Sequence, residues 1–235
     1  MTTRLAVFDV DGTLTRTSQV DDACFMEAIR LEWGINGVSM DWGAYEHSTD
    51  NAIATEISRV HRGRDATEGE LSTLRDRFAG LVREQAATAP ALFERVGGVR
   101  EMLAALPGHG WHRAIATGGW TPSAKLKLAQ AAVPFHGIPA AFACDARPRE
   151  EIIRIATERA ERDAAKRFER VVYVGDGVWD VRAARRLGIG FVGIAAGERA
   201  ERLRESGAAT VLPDFGDLAA FIAALDGAVI PATLA

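Results

Sequence analysis

The stretch LAVFDVDGTLT, Leu5 to Thr15, decides how the rest of the chain reads. Leu5 to Phe8 form an apolar run too short for a helix, and a glycine-containing turn follows. That is the pattern of a buried strand. The run ends in Asp9, one residue intervenes, and Asp11 follows, with Gly12 and Thr13 next. Alternate positions of extended chain share a face, so both carboxylates point to one side. Two acids and a glycine also make an ordinary solvated turn, so the reading depends on what else reaches the same place.

From Ser18 to about Pro90 the pattern is helical. DDACFMEAIRLEWG stops at Gly34. AIATEISRVHRG and TEGELSTLRDRFAGLVREQAATA are two further amphipathic stretches. The polar, aromatic loop INGVSMDWGAYEHSTDN lies between Gly34 and these two stretches. After Pro90, strand and helix alternate. WHRAIATGG reads as a strand ending in small residues, and TPSAKLKLAQAAV as a helix that Thr121 caps and Pro122 opens. AAFACD is a short strand and REEIIRIATERAERDAAK a long helix. RVVYVGDG is the clearest strand, VWDVRAARRLG a helix, FVGIAAG a strand, AERLRESG a helix and TVLPDF a last strand. DLAAFIAALDGAVIPATLA closes the chain as a helix and tail. Such alternation predicts an α/β fold: a Rossmann-like, doubly wound parallel sheet with helices on both faces. Residues 1–17 and 91–235 form its core, and residues 18–90 an inserted α-helical cap.

In an open α/β sheet, ligands bind beyond the carboxyl ends of the strands. The first strand ends in Asp9 and Asp11, the IAT strand in Thr117-Gly118-Gly119, and the VVYV strand in Gly175-Asp176-Gly177 with Asp180 on the next turn. Four acids and a hydroxyl therefore gather on one edge. Acids that close repel one another, and an all-oxygen set with room for water and phosphate suits Mg²⁺. Asp9 is placed to attack a bound phosphorus. Asp11 is placed to protonate the leaving oxygen and later to take a proton from water. Gly12 lets the backbone turn closely around a phosphate, and Thr117 and the Gly118 amide suit phosphoryl oxygens.

These motifs resemble those of the haloacid dehalogenase-like superfamily, in its phosphatase branch, where phosphoglycolate phosphatase and beta-phosphoglucomutase are found. FDVDGTLT resembles the first motif, IATGG the second and VGDGVWD the fourth, and the interrupting helical cap agrees. The resemblance implies Asp9 as nucleophile, Asp11 as general acid and base, and Mg²⁺ held by Asp9, the Asp11 carbonyl and Asp176, with Asp180 supporting or joining that shell. The same resemblance implies that Gly12, Thr13, Gly118 and Gly119 would bind the phosphoryl group. A third-motif Lys or Arg is also implied. In DARPREEII the first choice is Arg147, with Arg149 and Lys125 as rivals. His47, in the cap loop YEHSTDN, is a candidate reader of substrate.

The resulting expectation is a Mg²⁺-dependent phosphatase acting on a small phosphorylated metabolite through an aspartyl-phosphate. A sugar phosphomutase and a non-catalytic phospho-ligand binder of the same fold are the alternatives. Phosphonate hydrolysis of the family's kind needs a cap lysine, and residues 18–90 contain none. Carbon–halogen hydrolysis would need neither Asp11 nor a metal. The formal net charge of -4 forces no basic face, so nucleic acid is not an expected partner. Two distant cysteines, Cys24 and Cys144, match no metal spacing and suit a reducing cytoplasm. No apolar stretch suggests a membrane span, and a monomer or homodimer is expected. Trp33, Trp42 and Trp111 read as packing residues, and Arg182, Arg185 and Arg186 as an exposed helix face.

Overall fold

A computed structural model describes residues 3–233. Six strands form one sheet in the order β3-β2-β1-β4-β5-β6, every neighbouring pair parallel. They are β1 (Arg4–Phe8), β2 (Trp111–Ala116), β3 (Ala140–Ala141), β4 (Arg170–Gly175), β5 (Gly190–Ile194) and β6 (Val211–Leu212). This is the Rossmann-like α/β architecture. The first strand lies at the centre, paired with β2 on one side and β4 on the other. Its residues are buried on both faces, which explains an apolar run with no polar alternation.

The two sides of the sheet carry different helices. Ala6, Phe8, Val172 and Val192 pack with α4 (Val99–Ala105), α5 (Thr121–Gln130) and α9 (Leu218–Gly227), through Met102, Leu128 and Phe221. Leu5, Val7, Tyr173 and Phe191 share their cluster with α6 (Arg149–Ala164) and α7 (Val178–Leu187), through Ile152 and Val181. Helix α8 (Gly197–Glu205) follows β5 and buries Leu203 in that cluster.

Between β1 and β2 the chain inserts α1 (Ser18–Trp33), α2 (Asp50–Arg62) and α3 (Glu68–Thr88). Gly34 and Gly63 end the first two helices in left-handed conformation. Thr67 and Glu70 begin the third with reciprocal side-chain caps. The insertion is not an isolated bundle. Phe25 of α1 and Phe78 of α3 pack on Trp120, which precedes α5, at ring distances of 5.8 and 5.9 Å. Trp42 adds an edge contact to Phe25.

Several local expectations change. Thr121 does not cap α5: the cap position is Trp120, whose backbone N–H donates to the Asp50 carboxylate at 2.7 Å. An acid from the insertion thus ties down the entry to α5, and no side chain caps the helix. Trp42 is not purely a packing residue, because it also lines the central cavity. Arg182 and Arg185 tie segments together. Arg182 donates to the Gly43 carbonyl at 2.7 Å, and Arg185 to the carbonyls of Ser206 and Pro231. Among the described residues, no helix is long and apolar enough to cross a membrane.

Candidate active site

The carboxyl ends of β1, β2 and β4 open into a cavity of about 270 Å³, roofed by the insertion. It is lined at the strand ends by Asp9, Asp11, Thr117, Gly118, Gly119 and Asp176. The walls above them come from Gln19, Asp22, Phe25, Trp42 and Ile53 of the insertion, together with Trp179 of α7 and Arg199 of α8. That volume suits a small metabolite.

Asp9 follows β1 directly, and its backbone N–H donates to the Val174 carbonyl at 3.0 Å, which fixes the carboxylate between β1 and β4. Asp9 is buried, and its carboxyl is pushed up to about 7 by that burial and then by the Asp180 carboxylate, against the pull of Arg149. Asp176 and Asp180 are also raised, burial again the main cause. Carboxylate oxygens of Asp9, Asp176 and Asp180 lie within 4.8 Å of one another. Asp176 Oδ1 is buried without a hydrogen-bond partner, while Oδ2 meets the Arg199 guanidinium. An orphaned carboxylate oxygen among three crowded acids fits a hard, oxygen-loving cation. Asp180 has less to offer one: its Oδ2 accepts from the backbone N–H groups of Asp176 (3.1 Å) and Gly177 (2.9 Å), which clamps the turn that presents Asp176.

Gly12 has φ +78°, and a Cβ there would run into the Asp176 carboxylate. Glycine therefore allows the first and fourth strand ends to close on each other. At Gly118, a Cβ would strike the Arg149 guanidinium and the Ser48 carbonyl. Thr117 is buried, its hydroxyl accepting from the Gly119 N–H at 3.2 Å. Thr13 lies wholly buried behind the turn, and its hydroxyl has no partner among the described residues.

The positive charge beside Asp9 is Arg149, not Arg147. Arg149 is the first residue of α6, where a cation opposes the helix dipole and does nothing for the helix itself. Its Nη1 lies 3.2 Å from Asp9 Oδ1, 3.0 Å from Asp180 Oδ1 and 3.2 Å from the Tyr173 hydroxyl, and its Nη2 donates to the Ser48 carbonyl at 2.7 Å. Arg147, the residue favoured from the sequence, is 48% exposed and pairs with Glu68. Pro148 is extended and separates the two, so that the helix start turns Arg149 inward and leaves Arg147 outside. Lys125 points away as well, its ammonium 5.7 Å over the Phe142 ring. His47 does not line the central cavity. It borders an adjoining small cleft with Glu46, Arg182 and Arg186, which shares Ser48, Arg149 and Trp179 with the central cavity.

Three residues at the site escaped the reading of motifs. Tyr173 carries its hydroxyl into the Arg149–Asp180 contact, 3.2 Å from Asp180 Oδ1. Arg199 reaches Asp176 from α8. Lys127, fully buried on α5, donates to both Asp11 and Asp21. Burial alone would depress its ammonium, and the two carboxylates more than offset that, so it stays protonated well above the usual lysine range. A signal for it exists: Lys127 falls in the apolar stripe of α5 with Ser123, Ala124 and Leu128, a position that lysine rarely takes without a partner.

The central parallel sheet and its carboxylate-lined edge define a chain built to handle a small ligand at the switch point of the strand order. The family model for haloacid dehalogenase-like hydrolases matches residues 3–188, and the chain belongs to that family. No curated protein matches the sequence. Among solved structures, it is similar to a hydrolase from Pseudomonas syringae, with a TM-score of 0.71 at 21% identity over 94% of this chain and 98% of the other. A putative beta-phosphoglucomutase from Bacteroides vulgatus gives 0.70 at 19% identity over 96% and 89%. CbbY from Rhodobacter sphaeroides, in complex with phosphate, gives 0.64 at 19% identity over 93% and 96%.

Proposed function

We propose that this chain is a Mg²⁺-dependent phosphatase that hydrolyses a small phosphomonoester through an aspartyl-phosphate at Asp9. The observation that carries the reading is the setting of Asp9, a buried carboxylate at the cavity held by Arg149, with Asp11 lining the same cavity. Asp9, the Asp11 carbonyl and Asp176 would hold Mg²⁺, with Asp180 fixing the turn behind them. When bound, the ion supplies positive charge that offsets the acids and the phosphoryl oxygens.

The residues divide the work. Arg149 holds Asp9 in place and adds positive charge where the transferring phosphoryl group gains negative charge. A carboxylate oxygen of Asp9 forms a bond to phosphorus as the bond to the leaving oxygen breaks, and Asp11 gives that oxygen its proton. Water then attacks phosphorus, Asp11 takes its proton, and the bond between Asp9 and phosphorus breaks, restoring both acids. Thr117 and the Gly118 amide bind the phosphoryl oxygens.

The wall facing the leaving group narrows the substrate. Gln19, Asp22, Phe25, Trp42 and Ile53 of the insertion place no cation in the cavity, and the one on the α8 wall, Arg199, is already paired with Asp176. That supports a leaving alcohol without a second phosphate or carboxylate on that side, and Asp22 and the aromatic rings favour hydroxyl- or amine-bearing groups.

The test is phosphate release with Mg²⁺ from a panel of phosphomonoesters, wild type beside Asp9→Asn. Release by the wild type alone, with bisphosphates and phosphoglycolate ranking low, is the expected result. Equal release by both proteins would remove Asp9 from the chemistry. Isomerisation of a sugar phosphate without release would move the chain to the mutases.

A further inference from the structure

Lys127 is 0% exposed, on a helix of the sheet's flank rather than in any motif. Taking an ammonium out of water is costly unless it is paired and hydrogen-bonded. Here it has two carboxylate partners from different parts of the fold. Its Nζ donates to Asp11 Oδ2 and to Asp21 Oδ1. The other oxygen of Asp11 accepts from the Thr17 hydroxyl at 2.6 Å, and Thr17 in turn lies 2.5 Å from the Thr15 hydroxyl. Both oxygens of Asp11 are therefore held, one from α5 and one from the entry to α1.

Thr17 and Asp21 are one helical turn apart, joined by the Asp21 N–H to the Thr17 carbonyl at 2.9 Å. They present one face of the start of α1 to Asp11, Thr17 directly and Asp21 through Lys127. The first turn of the insertion and the core helix α5 thus meet at the side chain of a single acid.

We propose that Lys127 is a positioning residue for Asp11, with Asp21 holding Lys127 in turn, and that the trio aims the Asp11 carboxyl at the leaving oxygen. The proposal rests on the phosphatase reading above, in which Asp11 delivers a proton to that oxygen. Its consequence is a dependence on the leaving group. An alkyl phosphate needs the proton, because an alkoxide leaves poorly. p-Nitrophenyl phosphate does not need it, because its phenolate leaves unprotonated. A misplaced Asp11 should therefore cost the alkyl ester far more than the aryl ester, whereas a loss of folded protein or of Asp9 geometry costs both alike.

The experiment compares kcat on an alkyl phosphate that the wild type cleaves and on p-nitrophenyl phosphate, for the wild type, Lys127→Met, Asp21→Asn and Asp11→Asn. General acid catalysis is worth about 10²- to 10⁴-fold, so Lys127→Met is expected to lower the alkyl-to-aryl ratio by about 10-fold or more. Asp21→Asn should lower it in the same direction by less. Adding Lys127→Met to Asp11→Asn should leave the ratio where Asp11→Asn alone puts it. Lys127→Met leaves two half-buried carboxylates without their cation; if it does not fold, the Lys127→Met/Asp21→Leu pair removes the charge and its second partner together and should show the same fall in ratio. A folded variant that loses both activities by one factor overturns the role of Lys127 and leaves the phosphatase reading intact. A wild type that cleaves neither ester overturns both.

Discussion

Replacing Arg149 by methionine removes one guanidinium from a place where four partners converge. Asp9 and Asp180 lose their cation at 3.2 and 3.0 Å, and the Tyr173 hydroxyl and the Ser48 carbonyl lose a donor. The acids are almost wholly buried, at 5% and 0% side-chain exposure, so water does not replace what is lost. Breaking a buried ion pair from one side costs about 3–5 kcal/mol. For a chain of this length that is a fall in Tm of about 6–20 °C. The deficit should shrink as pH falls from 8 to 5, because Asp9 in the folded protein already takes its proton near 7 and the stranded carboxylates then become neutral. Thermal unfolding of wild type, Arg149→Met and Arg147→Ala, followed by circular dichroism in chelator at both pH values, measures this. Arg147→Ala removes an exposed pair with Glu68 and should move Tm little. In phosphate release, Arg149→Met should be nearly inactive and Arg147→Ala close to wild type. If Arg147→Ala loses activity as fully as Arg149→Met, the assignment of the positive charge from geometry is wrong.

Further predictions follow from the same contacts. Gly12→Ala combines a left-handed φ with a Cβ aimed at Asp176, so it should abolish activity and lower Tm, read from the same two assays. Mg²⁺ at about 100 times its Kd should stabilise the wild type by about 2.7 kcal/mol, and Asp176→Asn should erase most of that gain in Tm; an equal gain in the variant would place the ion elsewhere. Asp50 is raised from 3.8 to about 7, chiefly by burial. The folded protein therefore keeps a proton there that the unfolded chain releases, and stability falls as pH rises from about 4 to about 7. Asp50→Asn should flatten that part of the stability-versus-pH curve in urea titrations, and an unchanged slope would rule Asp50 out as a source.

Much of the fold was legible because its signals are local. A four-residue apolar run before Asp9, a glycine after Trp33 and the repeated alternation after Pro90 each name their element without help from distant contacts. The short strands were read too long: in AAFACD, only Ala140 and Ala141 pair, because the edge strand has a partner for just two residues. At the site, the strand-end acids and small residues could be placed from sequence since each follows its strand at once. The cations could not. Arg147 and Arg149 differ by two positions around Pro148, and only the direction of the first turn of α6 decides which faces inward. Lys127, Tyr173 and Arg199 depend on tertiary packing, and only Lys127 left a trace, as a charge within an apolar stripe.

The central claim is a covalent intermediate on Asp9. It is tested most directly by mixing the protein with Mg²⁺ and a cleaved phosphomonoester, quenching during turnover and reducing with borohydride, which turns a phosphorylated aspartate into homoserine. Mass spectrometry of the peptide spanning residues 5–15 should then find homoserine at position 9, in wild type with substrate and not without it. Sustained phosphate release with an unmodified Asp9, and an Asp9→Asn variant that releases phosphate as fast as wild type, would contradict the account.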